Sequence, residues 1–436
     1  MSIKTRRLLF YSSIILFLLL GSFLVLNSRG YHLDWRTLQF EATGGIYLSS
    51  TPAKVTITLE EKSIKNQTGL FQRGTLIDNL APDTYPVQVQ LEGYSLWQKE
   101  IPVKSGAVSV FDAIVLVPDE EALPTASMAA RAMVAAGRHL ALETGGGVSL
   151  NGTTVLGHEI ITLTESGSLL TRSTATGNYY LANAFETDEN LNLTLTFNNL
   201  KRDILGLPGA IDIKKILPYP YSDRRFVVST ERAIYLLDTE RLTIEQIALG
   251  TSDFYIQGSN GVAWMEESTI RLFNLPLRTN NLAVDLGVID PDEVGKIQNT
   301  SKGWLILDGS GRLLLFSGNR EPEVLAKAVV DFSLAPNGEY VAMESVSGPM
   351  LIYGFTEEST AQVELPSSIQ EFAWFKDSAH LLVLSGGKLI FTEVSEALSL
   401  NQVTLGIEVY AFSYAPGSNS VQFSTPQGIF LKKIII

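Results

Sequence analysis

A chain of 436 residues with 45% apolar side chains has material for more than one hydrophobic core, and it is not a disordered protein. It contains no cysteine, which excludes a disulfide framework, thiolate metal sites and a cysteine nucleophile. The formal net charge of −13 argues against a nucleic-acid or anionic-lipid surface and is compatible with a basic ligand, a cation-bridged wall polymer or a neutral glycan.

Lys4, Arg6 and Arg7 precede Leu8 to Leu26, a run of 19 residues without a charge, 14 of them Leu, Ile, Phe or Val. A helix of that length measures about 28 Å against a bilayer hydrocarbon thickness of ~30 Å, so the run predicts a transmembrane helix. A cleaved signal peptide is the alternative reading, but Asn27-Ser28-Arg29-Gly30 offers no small-x-small cleavage site. All the early positive charge lies before the span, which puts the N-terminus in the cytoplasm and the C-terminal domains outside, as in a single-pass membrane protein. Residues 1–30 form this cytoplasmic tip and helix, and residues 31–43, with Tyr31, Trp35 and Phe40, a polar stalk.

From Gly45 the pattern turns to short alternating strands: Ile46 to Leu48, Lys54 to Leu59, Tyr85 to Leu91, Trp97 to Val103 and Val108 to Val117. Turn clusters separate them, which predicts a small antiparallel β-sandwich over residues 44–118. Gly45-Ile46-Tyr47-Leu48-Ser49-Ser50-Thr51-Pro52, then Leu80-Ala81-Pro82-Asp83-Thr84-Tyr85 and Gly93-Tyr94, resemble the PEGA domain of bacterial and archaeal envelope proteins. Two departures stand out: Ala53-Lys54-Val55 lacks the family's Gly-Ala turn, and Asp83 replaces a glycine in a turn that Asp tolerates. The resemblance implies a non-catalytic spacer or contact module of exported proteins. Tyr94 and Trp97 are expected in its aromatic core, exposed glycan stacking being the alternative.

Residues 119–137 change composition. Pro118 to Pro124 reads as an acidic linker, and the alanine-rich Thr125 to Ala136 as one short helix capped by Thr125 or Ser127 and stopped by Gly137. Beyond it, residues 138–436 carry a repeat. Phe226-Val227-Val228-Ser229-Thr230, Val262 to Glu266, Trp304 to Asp308, Tyr340 to Glu344, Leu381 to Ser385 and Val421 to Thr425 are apolar strands that start 36, 42, 36, 41 and 40 residues apart. Each is followed by a second strand, opening at Ala233, Thr269, Arg312, Pro349, Lys388 or Gly428, across a short polar or glycine turn. The period is that of a four-stranded propeller blade. His139 to Leu142 with Val148 to Leu150, and Ile160 to Thr164 with Leu169 to Thr171, look like weaker copies that start too close together for two full blades.

The fold class is therefore all-β: a small antiparallel β-sandwich, a β-propeller of about seven blades within a range of six to eight, and an N-terminal transmembrane helix. Phe332-Ser333-Leu334-Ala335-Pro336-Asn337-Gly338, Phe372 to Ser378 and Phe412-Ser413-Tyr414-Ala415-Pro416-Gly417-Ser418 resemble the WD40-like repeats of TolB-type propellers; the resemblance implies structure and little chemistry. The last blade is expected to borrow a strand from residues 138–156, which removes two exposed edges. Glu186 to Asn190 reads as a turn and Leu191 to Phe197 as an alternating strand.

The search for chemistry returns no catalytic, cofactor or metal residues. His32, His139, His158 and His380 lack partners at metal-ligand spacing, and His380, just after an Asp-Ser turn, reads as a stabiliser of its blade. Gly145-Gly146-Gly147 and Gly309-Ser310-Gly311 read as hairpin turns, with no Lys-Ser/Thr to make a phosphate cradle. Asp290-Pro291-Asp292-Glu293 and Glu357-Glu358 fit no calcium loop and read as solvated. The sequons at Asn66, Asn151, Asn192 and Asn299 carry no weight in a bacterial type of protein. The leading expectation is a membrane-anchored, extracytoplasmic binding protein of the envelope, taking a protein or a cell-wall glycan, with no cofactor and no nucleic acid. The alternative is a glycan- or peptide-processing enzyme with Asp331 or Glu371 facing the channel, where a glycosidase needs two carboxylates within about 5–10 Å. Residues 171 to 212 and the 286 to 296 loop depart most from the repeat and are the first places to look for function.

Overall fold

The structure is a computed structural model. It describes the chain except residues 1–2, 29–30, 35–38, 70–72, 221, 252, 258–260, 268, 275–278, 286–293, 319–320, 347, 366, 395–400 and 436. By its contacts the chain divides into one unit of Met1–Glu120 with Ser395–Val403 and Lys433–Ile436, and a second of Glu121–Val394 with Thr404–Lys432.

The first unit opens with α1 (Ile3–Ser28). Its described side chains run from Phe10 to Ser22 with Leu24 and Val25, and the large apolar ones among them are exposed. Among the described residues no helix is long and apolar enough to cross a membrane. Where a stalk is expected, β1 (Tyr31–Asp34) and β2 (Gln39–Ala42) pair as antiparallel strands.

Seven strands follow: β3 (Gly44–Thr51), β4 (Thr56–Leu59), β5 (Lys62–Ile64), β6 (Thr75–Leu80), β7 (Thr84–Gln90), β8 (Trp97–Pro102) and β9 (Val108–Val115). They make a three-stranded sheet in the order β6-β3-β9 and a four-stranded sheet in the order β5-β4-β7-β8. Alternation drives the packing: Tyr85, Val87 and Val89 of β7 and Trp97 and Ile101 of β8 turn inward, into one core with Ile46, Leu48 and Ile57. Trp97 is fully buried, edge-on to Phe111, and Tyr94 packs partly buried against the same core. The sandwich is not wholly antiparallel, because β9 returns to lie parallel to β3. Asp83 does not adopt a left-handed conformation; its Oδ1 accepts the Thr84 N–H, and the Tyr85 hydroxyl donates to Ala81 O at 3.0 Å, clasping the same turn.

The second unit holds eight four-stranded antiparallel sheets. Blade 1 comprises Ala132–Ala136, His139–Thr144, Gly147–Leu150 and Thr153–Val155, and blade 2 Glu159–Leu163, Ser168–Arg172, Tyr179–Asn183 and Glu186–Asn192. Blade 3 runs through Lys215–Pro218, Arg225–Ser229, Ala233–Asp238 and Thr243–Leu249, and blade 4 through Phe254–Gln257, Gly261–Glu266, Thr269–Asn274 and Thr279–Asp285. Blade 5 is Val294–Thr300, Gly303–Asp308, Leu313–Phe316 and Glu323–Ala326, and blade 6 is Val329–Leu334, Tyr340–Ser345, Met350–Gly354 and Ser359–Val363. Blade 7 is Ile369–Trp374, His380–Ser385, Lys388–Glu393 and Gln402–Ile407; blade 8 is Ala411–Ser413, Ser420–Thr425 and Gly428–Lys433, completed by Leu123–Ala126.

Each sheet shares a core with the next. Leu169 of blade 2 packs with Leu150 of blade 1, Phe226 of blade 3 with Leu170 of blade 2, and Phe254 of blade 4 with Val227 of blade 3. Trp304 of blade 5 joins Ile270 of blade 4, and Phe332 of blade 6 joins Leu305 of blade 5. Trp374 Nε1 of blade 7 donates to Ser333 O of blade 6, and Phe375, just beyond the inner strand of blade 7, packs on Tyr414 of blade 8. Ile429 and Ala411 of blade 8 then pack with Met133 and Leu142 of blade 1, so the ring closes. This unit is a β-propeller.

Eight blades lie at the top of the expected range of six to eight, one more than its central value of seven, because the two weak hairpins belong to two full blades. Other expectations are corrected. The closing strand comes from Leu123–Ala126, not from residues 138–156, and it is the outer strand of blade 8. The alanine-rich stretch is this strand and the inner strand of blade 1 rather than a helix or linker, since Met133 and Ala136 are needed in the core between blades.

The one helix of this unit among the described residues, α2 (Leu193–Leu205), follows blade 2, where a strand over Leu191 to Phe197 is expected. Leu193, Phe197 and Lys201 are buried at four-residue spacing, Asn192 Oδ1 caps the Leu195 N–H, and Gly206 closes the C-terminus in the left-handed region. Glu186 to Asn190, expected as a turn, lies in the outer strand of blade 2, which pairs with Tyr179–Asn183.

Candidate functional site

Antiparallel connectivity gives the propeller two unlike ends. At the turn end lie the links from inner to second strand and from third to outer strand. At the linker end lie the turns between second and third strands and the passages from one blade to the next.

The second and third strands of each blade are packed on both faces by neighbouring blades, which is why they read as continuous apolar runs. Inner strands face the channel and carry polar side chains, and these tie adjacent blades together. Lys215 Nζ donates to Phe254 O at 2.8 Å, and burial lowers its pKa, with Asp253 opposing. Gln257 Nε2 donates to Ile297 O at 3.0 Å, while its Oε1 accepts the Asn299 N–H at 2.7 Å. Lys296 Nζ reaches Asp331 Oδ1 at 2.7 Å and Phe332 O at 2.6 Å.

Asp331 and Glu371, the two carboxylates singled out from sequence, occupy equivalent places on the inner strands of blades 6 and 7, each directly after a bulge. Asp331 is held by Lys296 and lies opposite Glu344, whose pKa is raised by burial and by the Asp331 charge. Glu371 is opposite Leu384 and receives the Phe412 N–H from blade 8. Glu371 is exposed to water in the channel, yet the surrounding inner strands crowd its carboxyl, and this partial desolvation pushes its pKa up to about 7.

Two of the histidines serve the fold. His380 is buried, its Nδ1 2.8 Å from Asp377 Oδ2, and it stacks on Phe391 at 4.6 Å; Asp377 Oδ1 accepts the N–H groups of Ala379 and His380. His139 meets Asn151 Nδ2 at 3.0 Å and packs edge-on against Phe185, whereas His158 is exposed. The side chain of His32 and residues Asp290 to Glu293 lie outside the described residues, and among the described residues no three ligand-type side chains converge for a metal. Both glycine triplets are hairpin turns; Asp308 locks the second by accepting the N–H groups of Ser310 and Arg312 and pairing with the Arg312 guanidinium at 2.7 Å.

The two ends differ in what they expose. At the linker end, the connections from blade 8 to 1, 1 to 2, 3 to 4 and 7 to 8 carry Met128, Leu156, Leu249, and Ile407 with Tyr410, and the second-to-third turn of blade 6 carries Val346, with exposures from 51% to 72%. α2 adds Leu195 and Ile204 on its outer face. The turn end exposes fewer, Phe185, Leu242 and Leu123. Its distinguishing feature is a cavity of about 560 Å³ where the inner strands of blades 8, 1, 2 and 3 end. Ala135, Ala136, Leu163, Pro218, Tyr219, Pro220 and Pro416 wall it, and Glu165 and Asp223 line it with Thr164, Ser166 and Ser222.

No family model matches this chain, and no curated protein matches it. Solved structures similar to it include the computationally designed Ika8 protein, at 11% identity and TM-score 0.49 over 72% of this chain and 98% of that one. Saccharomyces cerevisiae Sqt1 stands at 13% and 0.47 over 73% and 99%, and the C-terminal WD40 domain of Sif2 at 10% and 0.46 over 72% and 99%. Values this low leave the eight sheets themselves as the ground for the fold.

Sequence reasoning pointed to the channel carboxylates and to residues 171 to 212, which hold α2 with the exposed Leu195 and Ile204 at the linker end, but it missed the rest of that end and the cavity; residues 286–293 of the second loop it singled out lie outside the described residues. The linker end is spread over short connections that share no motif. The cavity draws on turns of four blades, and its one local signal is Pro218-Tyr219-Pro220, a rigid segment directly before the first clear repeat.

Proposed function

We propose that this protein is a membrane-anchored, extracytoplasmic scaffold of the cell envelope whose propeller binds a protein partner through the linker end. The observation that carries the reading is the concentration of exposed large apolar side chains at that end, from Met128 to Tyr410. Apolar surface of this kind on a β-ring gains free energy by being covered. Asp331 and Glu371 are engaged in ties between blades, which favours a binding role over hydrolysis.

The anchor rests on the uncharged run Leu8 to Leu26, the basic residues before it, and the exposure of the described large apolar side chains from Phe10 to Leu20 and at Leu24 and Val25. The sandwich, read as PEGA-like, would then serve as a spacer.

The test is a crosslinked pull-down from the native envelope with the full-length chain and with a Leu249→Ser, Val346→Ser, Ile407→Ser variant that unfolds at the same temperature. One protein partner captured by the parent and lost with the variant supports the reading. Retention of that partner, or capture of wall glycan alone, overturns it. Protease added to spheroplasts should cleave the propeller; protection of residues 121–436 would overturn the topology.

A further inference from the structure

We infer that the cavity at the turn end binds the cationic side chain of a lysine or arginine presented by an extended peptide. It lies at the opposite end of the propeller from the apolar surface above and does not depend on that reading.

The walls and the charges point to the same ligand. At about 560 Å³ the cavity is within the usual range for ligand sites and large enough for one long side chain with its flanking backbone. Pro218, Pro220 and Pro416 have little freedom to lose on binding, so the apolar wall they form with Leu163 and Ala136 is already organised. Such a wall suits the methylene stem of Lys or Arg, whose charged head then stays at the wetter rim.

At that rim stand Glu165 and Asp223, and among the described residues neither is paired with a cation of the chain. Their turns are held by hydroxyl-to-backbone bonds that leave both carboxylates unengaged. The turn bearing Glu165 is closed by Thr164, whose Oγ1 accepts the Ser168 N–H, and the loop bearing Asp223 by Ser222, whose Oγ accepts the Arg225 N–H. Two free carboxylates beside an apolar, hydroxyl-bearing wall leave a charge that a neutral ligand would not satisfy. The chain's net charge of −13 attracts the same class of ligand from a distance.

The test uses the purified full-length chain and four fluorescent peptides, acetyl-Ser-Gly-X-Gly-Ser-amide, with X as arginine, lysine, citrulline or norleucine, followed by anisotropy. The arginine or lysine peptide should bind at least about ten-fold more tightly than both neutral ones, and added salt should weaken it. Glu165→Gln with Asp223→Asn should reduce cationic-peptide binding by about ten-fold or more and leave norleucine binding unchanged. If neither cationic peptide binds the unmutated protein more tightly than citrulline and norleucine, the inference is overturned, as it is by a folded double variant that binds the tighter cationic peptide like the parent. No saturable binding of either cationic peptide also overturns it.

Discussion

Ala126 lies opposite Ile429 in an antiparallel pair, so a strand from the start of the propeller completes its last blade. The junction is reinforced from both sides: Thr125 Oγ1 donates to Ile429 O at 3.1 Å, and Ser424 Oγ and Ser413 Oγ accept the N–H groups of Ala130 and Ala135. Sheet edges that would otherwise face solvent are removed by the closure.

Gly428 is the position at which this closure is most easily tested. Its φ of +139° suits glycine alone, and a Cβ there would run into Ala126 O. Gly428→Ala should therefore cost about 1–3 kcal/mol, because strain and a parted strand add. Gly417→Ala, also at positive φ but with open space around it, should cost about 1 kcal/mol or less. Urea unfolding of the two variants checks the order; equal losses would show that the closing strand contributes nothing at Gly428.

How much of this was legible follows from where each strand sits. Phe226 to Ser229 and Leu381 to Leu384 are buried on both faces, so their apolar runs stand out at every blade from the third onward. Blades 1 and 2 were compressed into an ambiguous pair because the outer strand of blade 1 is three residues long and Ile160 to Leu163 is an inner strand, not a second one. α2 was misread because Leu191, Leu193, Leu195 and Phe197 alternate as a strand would, while the third core position of the helix is a lysine. Lys201 is buried there because its amine donates to Gly209 O at 2.7 Å, a contact no local pattern announces. The cavity was invisible for a related reason, since Leu163, Pro218 and Pro416 meet only through closure of the ring.

Asp377 gathers three hydrogen bonds at the turn of blade 7, from the N–H groups of Ala379 and His380 and from the His380 ring. Asp377→Ala leaves a buried imidazole unpaired and should destabilise by about 2–3 kcal/mol; Asp377→Asn, which keeps an oxygen for the two N–H groups, should lose about half as much. Thermal unfolding separates them, and an alanine variant as stable as the parent would contradict the role given to this turn.

Asp308 predicts an acid limb of the stability curve. Burial alone would raise its pKa, but the Arg312 N–H, Ser310 and the Arg312 guanidinium outweigh burial and hold the carboxyl below its ordinary range. A depressed folded pKa contributes stability that is present above the unfolded value of about 3.9 and is lost as pH falls through the folded one. Asp308→Asn should thus be less stable than the parent at neutral pH, with the gap closing toward pH ~3. A gap independent of pH in urea melts would remove the charge from the explanation.

Glu371 should act in the opposite sense. Its folded pKa, pushed up to about 7, lies above the value near 4.3 expected in the unfolded chain, so folding favours the protonated carboxyl. The stability tied to that proton is fully present below about pH 4.3 and is lost as pH rises through the folded pKa. Glu371→Gln keeps an acceptor for the Phe412 N–H without the charge. It should match the parent at acid pH and exceed it at pH ~8, by less than about 2 kcal/mol because water still reaches the carboxylate. Isotope-edited infrared titration of the parent should show the Glu371 carboxylate band appearing near neutrality. Its appearance near pH 4, with no gain for Glu371→Gln at alkaline pH, would mean that the channel keeps this wall as wet as the protein surface.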